Sequence, residues 1–471
     1  MTDLASRLAQ AAVILRDRFG HTEFRTGQRR AVRAALAGRS ALVVLPTGGG
    51  KSLCYQVPAL VLDGLTVVVS PLISLMQDQV GAAVARGIAA CSLTSSLSLA
   101  ERSRILSDVA AGRVRLLYVA PERLATGAMI GALRQAGVAL LAVDEAHCVS
   151  EWGHDFRPAY RQLGVVRRAL RMPPTLALTA TATPAVRDDI VASLRLGAVE
   201  RIIGSFDRPN LRLGVTRVAD DEERRRRVLN LLRPFHGPSL VYVPTRSSAE
   251  RWTRSLWRAG IVAAPYHAGL EHSIRRRVQE DFLGDRMESV VATCAFGMGI
   301  DKPDVRTVVH LGLSTSLEAY YQEAGRAGRD GKPSRCEVLW TTGDLRLQRL
   351  IVPDPRRRDP LIRYITAFTC RREMLLRHLG EYRGRCGHCD RCERWDRLWG
   401  QLTGRRRPPG ARAAWAGDAA ARGLRGARGG ADLETRTATA GAAARFTQSP
   451  MAGSSAGSLP LPPQADAGYA Q

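Results

Sequence analysis

From about residue 25 to 345 the chain repeats one pattern. Short apolar, β-branched runs end in turn or polar residues, and amphipathic stretches separate them. "ALVVLP" (41–46), "LTVVVSP" (65–71), "VRLLYVAP" (114–121), "ALLAVDE" (139–145) and "PTLALTAT" (174–181) are near-continuous apolar segments. That is the pattern of strands buried on both faces of a parallel sheet. Segments 101–110 and 185–196 carry helical spacing. The alternation predicts an α/β fold, a doubly wound parallel sheet with its chemistry at the strands' C-terminal ends.

The pattern then starts again. "SLVYVPT" (239–245), "VAAPYHA" (262–268), "ESVVATC" (288–294) and "VRTVVHLG" (305–312) form a second set. The join falls near "SFDRPNLR" (205–212), where Pro209 interrupts. Two similar units in series predict a cleft between them. After about residue 346 the strand pattern stops. "DPLIRYITAF" and "CRREMLLRHLGEY" have helical spacing and lead into a cysteine cluster. Beyond Gly400 the chain has no Ile or Val and is rich in Ala, Gly, Arg, Ser and Pro. It cannot bury enough apolar surface to offset its ordering entropy. The expected organisation is therefore a first α/β domain over 1–206, a second over 207–345, a helical module over 346–396 and a disordered tail over 397–471.

Charge changes this picture only moderately. The formal net charge is +25 and the pI about 10.8, which points to a polyanionic partner. Only Lys51, Lys302 and Lys332 are lysines, and Ala and Gly are abundant, as in a GC-rich coding bias that inflates arginine. The surplus is a weaker signal for that reason, and each lysine a stronger one. No run approaches the roughly 18 apolar residues of a membrane span, and the N-terminus lacks a signal-peptide pattern. A soluble cytoplasmic protein, without membrane association, is expected. Cys54, Cys91, Cys148, Cys294 and Cys336 are scattered, as buried thiols are. Cys370, Cys386, Cys389 and Cys392 are clustered.

"VVLPTGGGKSLCYQ" joins a strand to a predicted helix. Thr47, Gly48, Gly49 and Gly50 let backbone amides wrap phosphate oxygens at a helix N-terminus. Lys51 would meet the β- and γ-phosphates and Ser52 a Mg²⁺. The strict G-x-x-x-x-G-K-[ST] pattern fails at Leu45. "LLAVDEAH" supplies Asp144 to hold Mg²⁺ and Glu145 to orient and deprotonate a water. In "YYQEAGRAGRDG", Arg326 and Arg329 are three apart, are expected on one helical face, and could reach a γ-phosphate across the cleft; a charged helix face ending at Gly331 is the alternative. In "SEWGHDFRP", Trp152, His154, Phe156 and Arg157 follow the carboxylates without helical or strand alternation. The aromatics suit base stacking and Arg157 a phosphate or the second domain, and a loop pinned by one buried Trp is the alternative. C-x₂-C-x₂-C with a distant fourth thiolate fits tetrahedral zinc. His388 is a rival ligand that its flanking thiolates make redundant.

These segments, with "FGHTEFRTGQ", "VVVSPLISLMQDQV", "LYVAPERL", "LTATAT", "YHAGL" and "VVATCAFGMGIDKPDVR", occur in one order over roughly residues 15–396. Together they resemble RecQ-type DNA helicases of superfamily 2. The resemblance implies two RecA-like domains, a zinc module and 3′-to-5′ ATP-driven unwinding of DNA in repair and recombination, with ATP, Mg²⁺ and Zn²⁺ as cofactors. It implies that Gln28 reads the adenine edge with Arg25 beside the base. His21 stands where relatives often carry Tyr. It implies that Cys370, Cys386, Cys389 and Cys392 hold zinc, and that the aromatic loop couples DNA to the ATP site. Single-stranded and partly duplex DNA are the expected partners, with single-strand-binding protein a further one, for a monomer at the bacterial nucleoid. Residues 397–471 show no winged-helix pattern. The alternative is accordingly a DNA-stimulated ATPase that translocates or anneals without processive unwinding.

Overall fold

The computed structural model describes residues 3–403, apart from 95, 96, 125, 154, 234–236, 295 and 297–301. His154 and the tail beyond Thr403 lie outside the described residues. The first sheet has seven strands: β1 (Ala41–Val44), β2 (Leu65–Val69), β3 (Ala90–Leu93), β4 (Leu116–Val119), β5 (Val138–Val143), β6 (Thr175–Thr179) and β7 (Glu200–Ile203). They run parallel in the order β3-β4-β2-β5-β6-β1-β7. The second has six: β8 (Leu211–Arg217), β9 (Ser239–Tyr242), β10 (Ala263–Tyr266), β11 (Ser289–Ala292), β12 (Thr307–Leu311) and β13 (Ser334–Trp340). They are also parallel, in the order β10-β11-β9-β12-β13-β8. Every residue of β1, β2, β4, β6, β9, β11 and β12 is buried, as sheets covered on both faces demand.

Strands β3, β7, β8 and β13 are not legible as apolar runs. The first three lie at sheet edges, where one side of the ladder is open and polar residues are tolerated. β13 is internal yet carries Arg335 and Glu337. Buried Glu337 accepts from Thr216 Oγ1 at 2.9 Å and faces Arg212 at 3.6 Å, both on neighbouring β8. The charged residues of the two strands satisfy each other, so hydropathy alone misses the pair.

Four helices follow the second sheet: Thr342–Ile351, Pro355–Thr366, Arg371–His378 and Asp390–Thr403. The last continues through residues 397–403, seven residues into the segment expected to be disordered. Trp395, Leu398 and Trp399 give it an i, i+3, i+4 apolar stripe, which the composition of the whole tail masks.

This helical module grips the linker between the sheets. Glu381 accepts from Phe206 N and Ser205 Oγ, each at 2.7 Å. Arg372 pairs with Asp207 at 2.5 Å and donates to Leu211 O. Arg212 donates to both Glu393 oxygens, at 3.0 and 2.7 Å. The module also touches each sheet's flank. Arg187 donates to Leu379 O, and His378 lies 2.6 Å from Glu318. No helix among the described residues is long and apolar enough to cross a membrane.

Arg372→Ala should leave the largely buried Asp207 without its main counter-charge. Removing one partner of a buried pair costs about 3–5 kcal/mol. Urea unfolding should show that loss. A change under about 1 kcal/mol, the range of exposed pairs, would mean the grip on the linker is superficial.

Candidate functional site

The loop between β1 and the helix Leu53–Val61 carries "PTGGGKS" at the C-terminal end of a central strand. Gly48 and Gly50 adopt φ of +77° and +68°, which glycine reaches without a Cβ clash. Arg25 Nη1 donates to Gly48 O at 2.7 Å, and Gln28 Nε2 to Gly49 O and Gly50 O at 3.1 and 3.2 Å. Gln28 Oε1 accepts from Arg25 N at 2.9 Å. Both residues expected at the base thus lie against the phosphate loop and hold its carbonyls. Reading a base would require them to exchange these bonds.

Asp144 and Glu145 leave the end of β5, which only β6 separates from the strand that bears the glycine loop. Asp144 N donates to Val69 O at 2.9 Å, and Asp144 Oδ1 accepts from Glu145 N at 2.9 Å. Burial, reinforced by the Glu145 carboxylate and opposed by Lys51, pushes Asp144 up to about 6. An acid so placed suits a cation that would offset its burial. Glu145 has φ 46° and ψ 46°, a left-handed conformation in which a non-glycine residue is strained. Its Oε2 lies 3.2 Å from His147 Nδ1.

From there a hydrogen-bonded line runs to the helix Leu317–Ala324 of the second unit. His147 Nδ1 is 2.9 Å from Thr179 Oγ1, and that hydroxyl donates to Thr181 O at 3.0 Å. Thr181 Oγ1 accepts from Gln322 Nε2 of the second unit at 2.9 Å. "LTATAT" and "YYQEAGRAGRDG" stood out in the sequence, but their meeting is a long-range fact that spacing cannot give.

Arg326 and Arg329 do not share a helical face. The helix Leu317–Ala324 stops at Gly325, and both arginines sit in the turns that follow, with Gly328 at φ 54° between them. Linker residues shape this turn. Arg208 donates to Gly325 O, Ala327 O and Gly328 O at 3.2, 2.8 and 2.8 Å, and Asn210 Nδ2 donates to Gly328 O at 2.8 Å. The turn meets the phosphate loop across the cleft. A Cβ on Gly48 would stand 3.6 Å from Arg329 Cγ, and one on Gly325 would stand 3.7 Å from Thr47 Cβ. Arg326 is buried on its own side, against Tyr242, whose hydroxyl burial pushes up while Arg326 opposes.

The aromatic loop packs directly on the acidic motif. A Cβ on Gly153 would meet His147 O at 2.4 Å, so only glycine allows this approach. Trp152 is 54% exposed, which excludes its being a buried pin. The Arg356 guanidinium lies 4.6 Å from its ring centroid, joining the loop to the helical module; nothing in the sequence marks that pair. Phe156 is half-buried. Arg157 does not cross the cleft. It pairs with Asp155 at 3.2 Å and donates to Pro71 O at 2.7 Å, both in the first unit.

The four clustered cysteines converge. Their sulfurs lie within 4.8 Å of one another, with Cys386–Cys392 at 4.0 Å and Cys370–Cys389 at 3.9 Å. A tetrahedron with Zn–S bonds of about 2.3 Å has edges of about 3.8 Å, so the cage fits zinc. His388 turns away. Its Nδ1 is 2.8 Å from Cys386 O and its Nε2 is 2.8 Å from Arg372 Nη2, which occupies both ring nitrogens.

Comparison with known proteins identifies the family. Residues 25–190 match the DEAD/DEAH box helicase family, 223–331 the helicase conserved C-terminal domain and 356–393 the RecQ zinc-binding family. The ATP-dependent DNA helicase RecQ of Haemophilus influenzae is 43% identical over 393 residues, covering 81% of this chain and 63% of that protein. The probable ATP-dependent DNA helicase RecS of Bacillus subtilis is 44% identical over 342 residues, covering 71% of this chain and 67% of that protein. The ATP-dependent DNA helicase RecQ of Bacillus subtilis is 40% identical over 399 residues, covering 82% and 67%. Among solved structures, the DUF1998 helicase MrfA bound to DNA gives a TM-score of 0.60 at 19% identity, covering 73% of this chain and 52% of that one; this is a likeness of fold. The chain belongs to the RecQ-type helicase family, and it spans somewhat less than two thirds of the Haemophilus relative's length.

Two outcomes follow from the geometry. Glu145→Gln should lower ATP turnover by about 100-fold or more, and Arg329→Ala by on the order of 1,000-fold. Nucleotide binding measured by fluorescence should survive in both. Near-normal turnover in either variant removes that residue from its role. The zinc cage should bring about one equivalent of zinc through purification, and Cys389→Ser should lose it and become protease-sensitive. Stable, metal-free wild-type protein would refute the cage.

Proposed function

We propose that the chain is an ATP-driven DNA helicase that moves 3′ to 5′ along single-stranded DNA and separates duplex ahead of it, in DNA repair and recombination. The observation that carries this reading is the composite site. The phosphate loop and the acid pair come from the first unit, and Arg329 comes from the second, so near Gly48 that a Cβ added there would stand 3.6 Å from Arg329 Cγ. Hydrolysis at such a site changes what holds two domains together, which is how a chemical step becomes relative motion.

Each side chain then has a task. Lys51 contacts the β- and γ-phosphates, and the amides of residues 47–50 wrap the phosphate oxygens. Gln28 and Arg25 release the loop carbonyls to meet the base. Ser52 and Asp144 would hold Mg²⁺, which supplies charge neutralisation at the phosphates. Glu145 orients a water that attacks the γ-phosphorus and takes its proton as the bond to the β–γ bridging oxygen breaks, leaving ADP and phosphate. Arg329, with Arg326 behind it, stabilises charge on the transferring group. Cys370, Cys386, Cys389 and Cys392 would hold structural zinc. Trp152 and Phe156 meet DNA, and Arg157 fixes their loop through Asp155 and Pro71.

The names of the relatives favour unwinding over the alternative of a translocase without strand separation. Strand-displacement assays on duplexes with a single 3′ or 5′ tail test the proposal. Unwinding of the 3′-tailed substrate, dependent on ATP and abolished by Glu145→Gln, is expected. ATP hydrolysis stimulated by single-stranded DNA without displacement of either substrate would instead establish a translocase.

A further inference from the structure

We infer that the outward face of the last helix, Asp390–Thr403, is a docking surface for single-stranded DNA, separate from the aromatic loop beside the acid pair. The inference rests on the proposed DNA-dependent function and adds a second contact to it.

The helix sorts its charges. Asp390 is 3.0 Å from buried Arg371, and Glu393 is 2.7 Å from Arg212. Cys392 between them is buried in the cysteine cage. The N-terminal acids are therefore spent inward, against arginines of the protein itself, and Asp396 is half-buried. Arg394, Trp395, Arg397, Leu398 and Trp399 are exposed, with Trp395 and Trp399 at 54% each. Two tryptophans and a leucine on one exposed face, flanked by arginines, form a surface of the kind that marks a binding site.

Charge and spacing choose the occupant. Among the described residues the exposed face of the helix has cations and no exposed acid, so it complements a polyanion. A second copy docked across a two-fold axis would set the arginines of each face against those of the other. Trp395 and Trp399 are one turn apart, which separates them by about 6 Å along the axis. Nucleotides in a duplex rise by about 3.4 Å per strand. Tryptophans at nearly twice that interval suit bases splayed along an extended single strand, and duplex bases present no free face for stacking. Stacking on aromatic rings is indifferent to sequence, and arginines beside them take the phosphates. Nearby, the Arg391 guanidinium lies 4.8 Å from the centroid of Phe368, a ring 75% exposed, so the aromatic and cationic surface continues past the helix.

The test uses the full chain and fluorescein-labelled oligodeoxythymidine, with zinc content and DNA-free ATP hydrolysis as controls for folding. Trp395→Ala/Trp399→Ala should weaken binding by about 10-fold or more, as loss of stacked bases does, and leave both controls unchanged. Trp395→Phe/Trp399→Phe should restore most of the affinity. Arg394→Gln/Arg397→Gln should lower the slope of log affinity against log salt by about 1.4, the single-strand value for two phosphate contacts. If the alanine pair fails to fold, the arginine pair alone decides. Wild-type protein that binds and is stimulated by DNA, with variants that bind it equally well, overturns the docking surface and leaves the helicase reading standing. Wild-type protein that ignores DNA removes the helicase reading itself. Wild-type dimers in sedimentation, dissociated by the tryptophan substitutions with DNA affinity unchanged, would make this face a protein interface and refute the inference.

Discussion

Two adjacent carboxylates at the end of a buried strand are the constraint around which the rest is arranged. Asp144 is pushed up to about 6 by burial and by Glu145, so the pair is tolerable only with cations and donors brought to it. Lys51 comes from the phosphate loop, and Glu145's own amide bonds Asp144. Turning Glu145 through the left-handed region keeps the second carboxylate off the first one's path and aims it at His147. His147 in turn is fixed by Thr179, whose partner Thr181 meets Gln322 on the helix Leu317–Ala324 of the second unit. The same backbone bears the aromatic loop, since Gly153 touches His147 O closely enough to exclude a Cβ. A change of charge at the carboxylates is thus felt through direct contacts in two directions: toward the other sheet and toward the loop proposed to meet DNA.

How much of this was legible follows the range of the interactions. Buried central strands announce themselves by local hydropathy, and so did β1, β2, β4, β5 and β6. The glycine loop, the acid pair and the cysteine spacing are local patterns with one dominant chemistry each. What was hidden is non-local. Strands β8 and β13 carry charges that satisfy each other across the ladder. The Arg326–Arg329 segment reads as helix by its i, i+3 spacing, yet Gly325 ends the helix and Arg208 and Asn210 take over the turn's carbonyls. The last helix was absorbed into a disordered segment because composition averages over a long window, while an amphipathic stripe needs only two turns.

The arginine surplus also looks different in three dimensions. Arg167 donates to Thr175 Oγ1, Arg195 O and Ser40 Oγ, tying the end of one strand to two loops. Arg224 pairs with Asp344 at 2.5 Å, and buried Arg371 with Asp390. A guanidinium offers five donors in a plane and holds several carbonyls at once, which an ammonium does not. Part of the +25 charge is therefore internal scaffolding. The face of Asp390–Thr403 differs because its arginines point outward with tryptophans between them.

Arginine also links the zinc cage to the nucleotide site. The cage fixes the start of the helix Arg371–His378 at Cys370, and Arg372 from that first turn holds Asp207 and Leu211 O in the linker. The next linker residue, Arg208, spans the carbonyls of Gly325, Ala327 and Gly328. That turn carries Arg329 to Gly48. The steps through Arg372 and Arg208 are donors to carbonyls or a charge pair in a largely buried setting, where an unmade bond is costly. The cysteine cage lies at one end of this line and the glycine loop at the other, with the interdomain linker between them. A flexible linker would leave the position of Arg329 to chance each time the cleft opened and closed. The linker is gripped on one side by the cysteine module and bonded on the other to the arginine turn, and the module also bonds the first unit through Arg187 and Leu379 O. On the proposed reading, the four cysteines would support hydrolysis without approaching the nucleotide, by fixing the linker that positions the turn bearing Arg329.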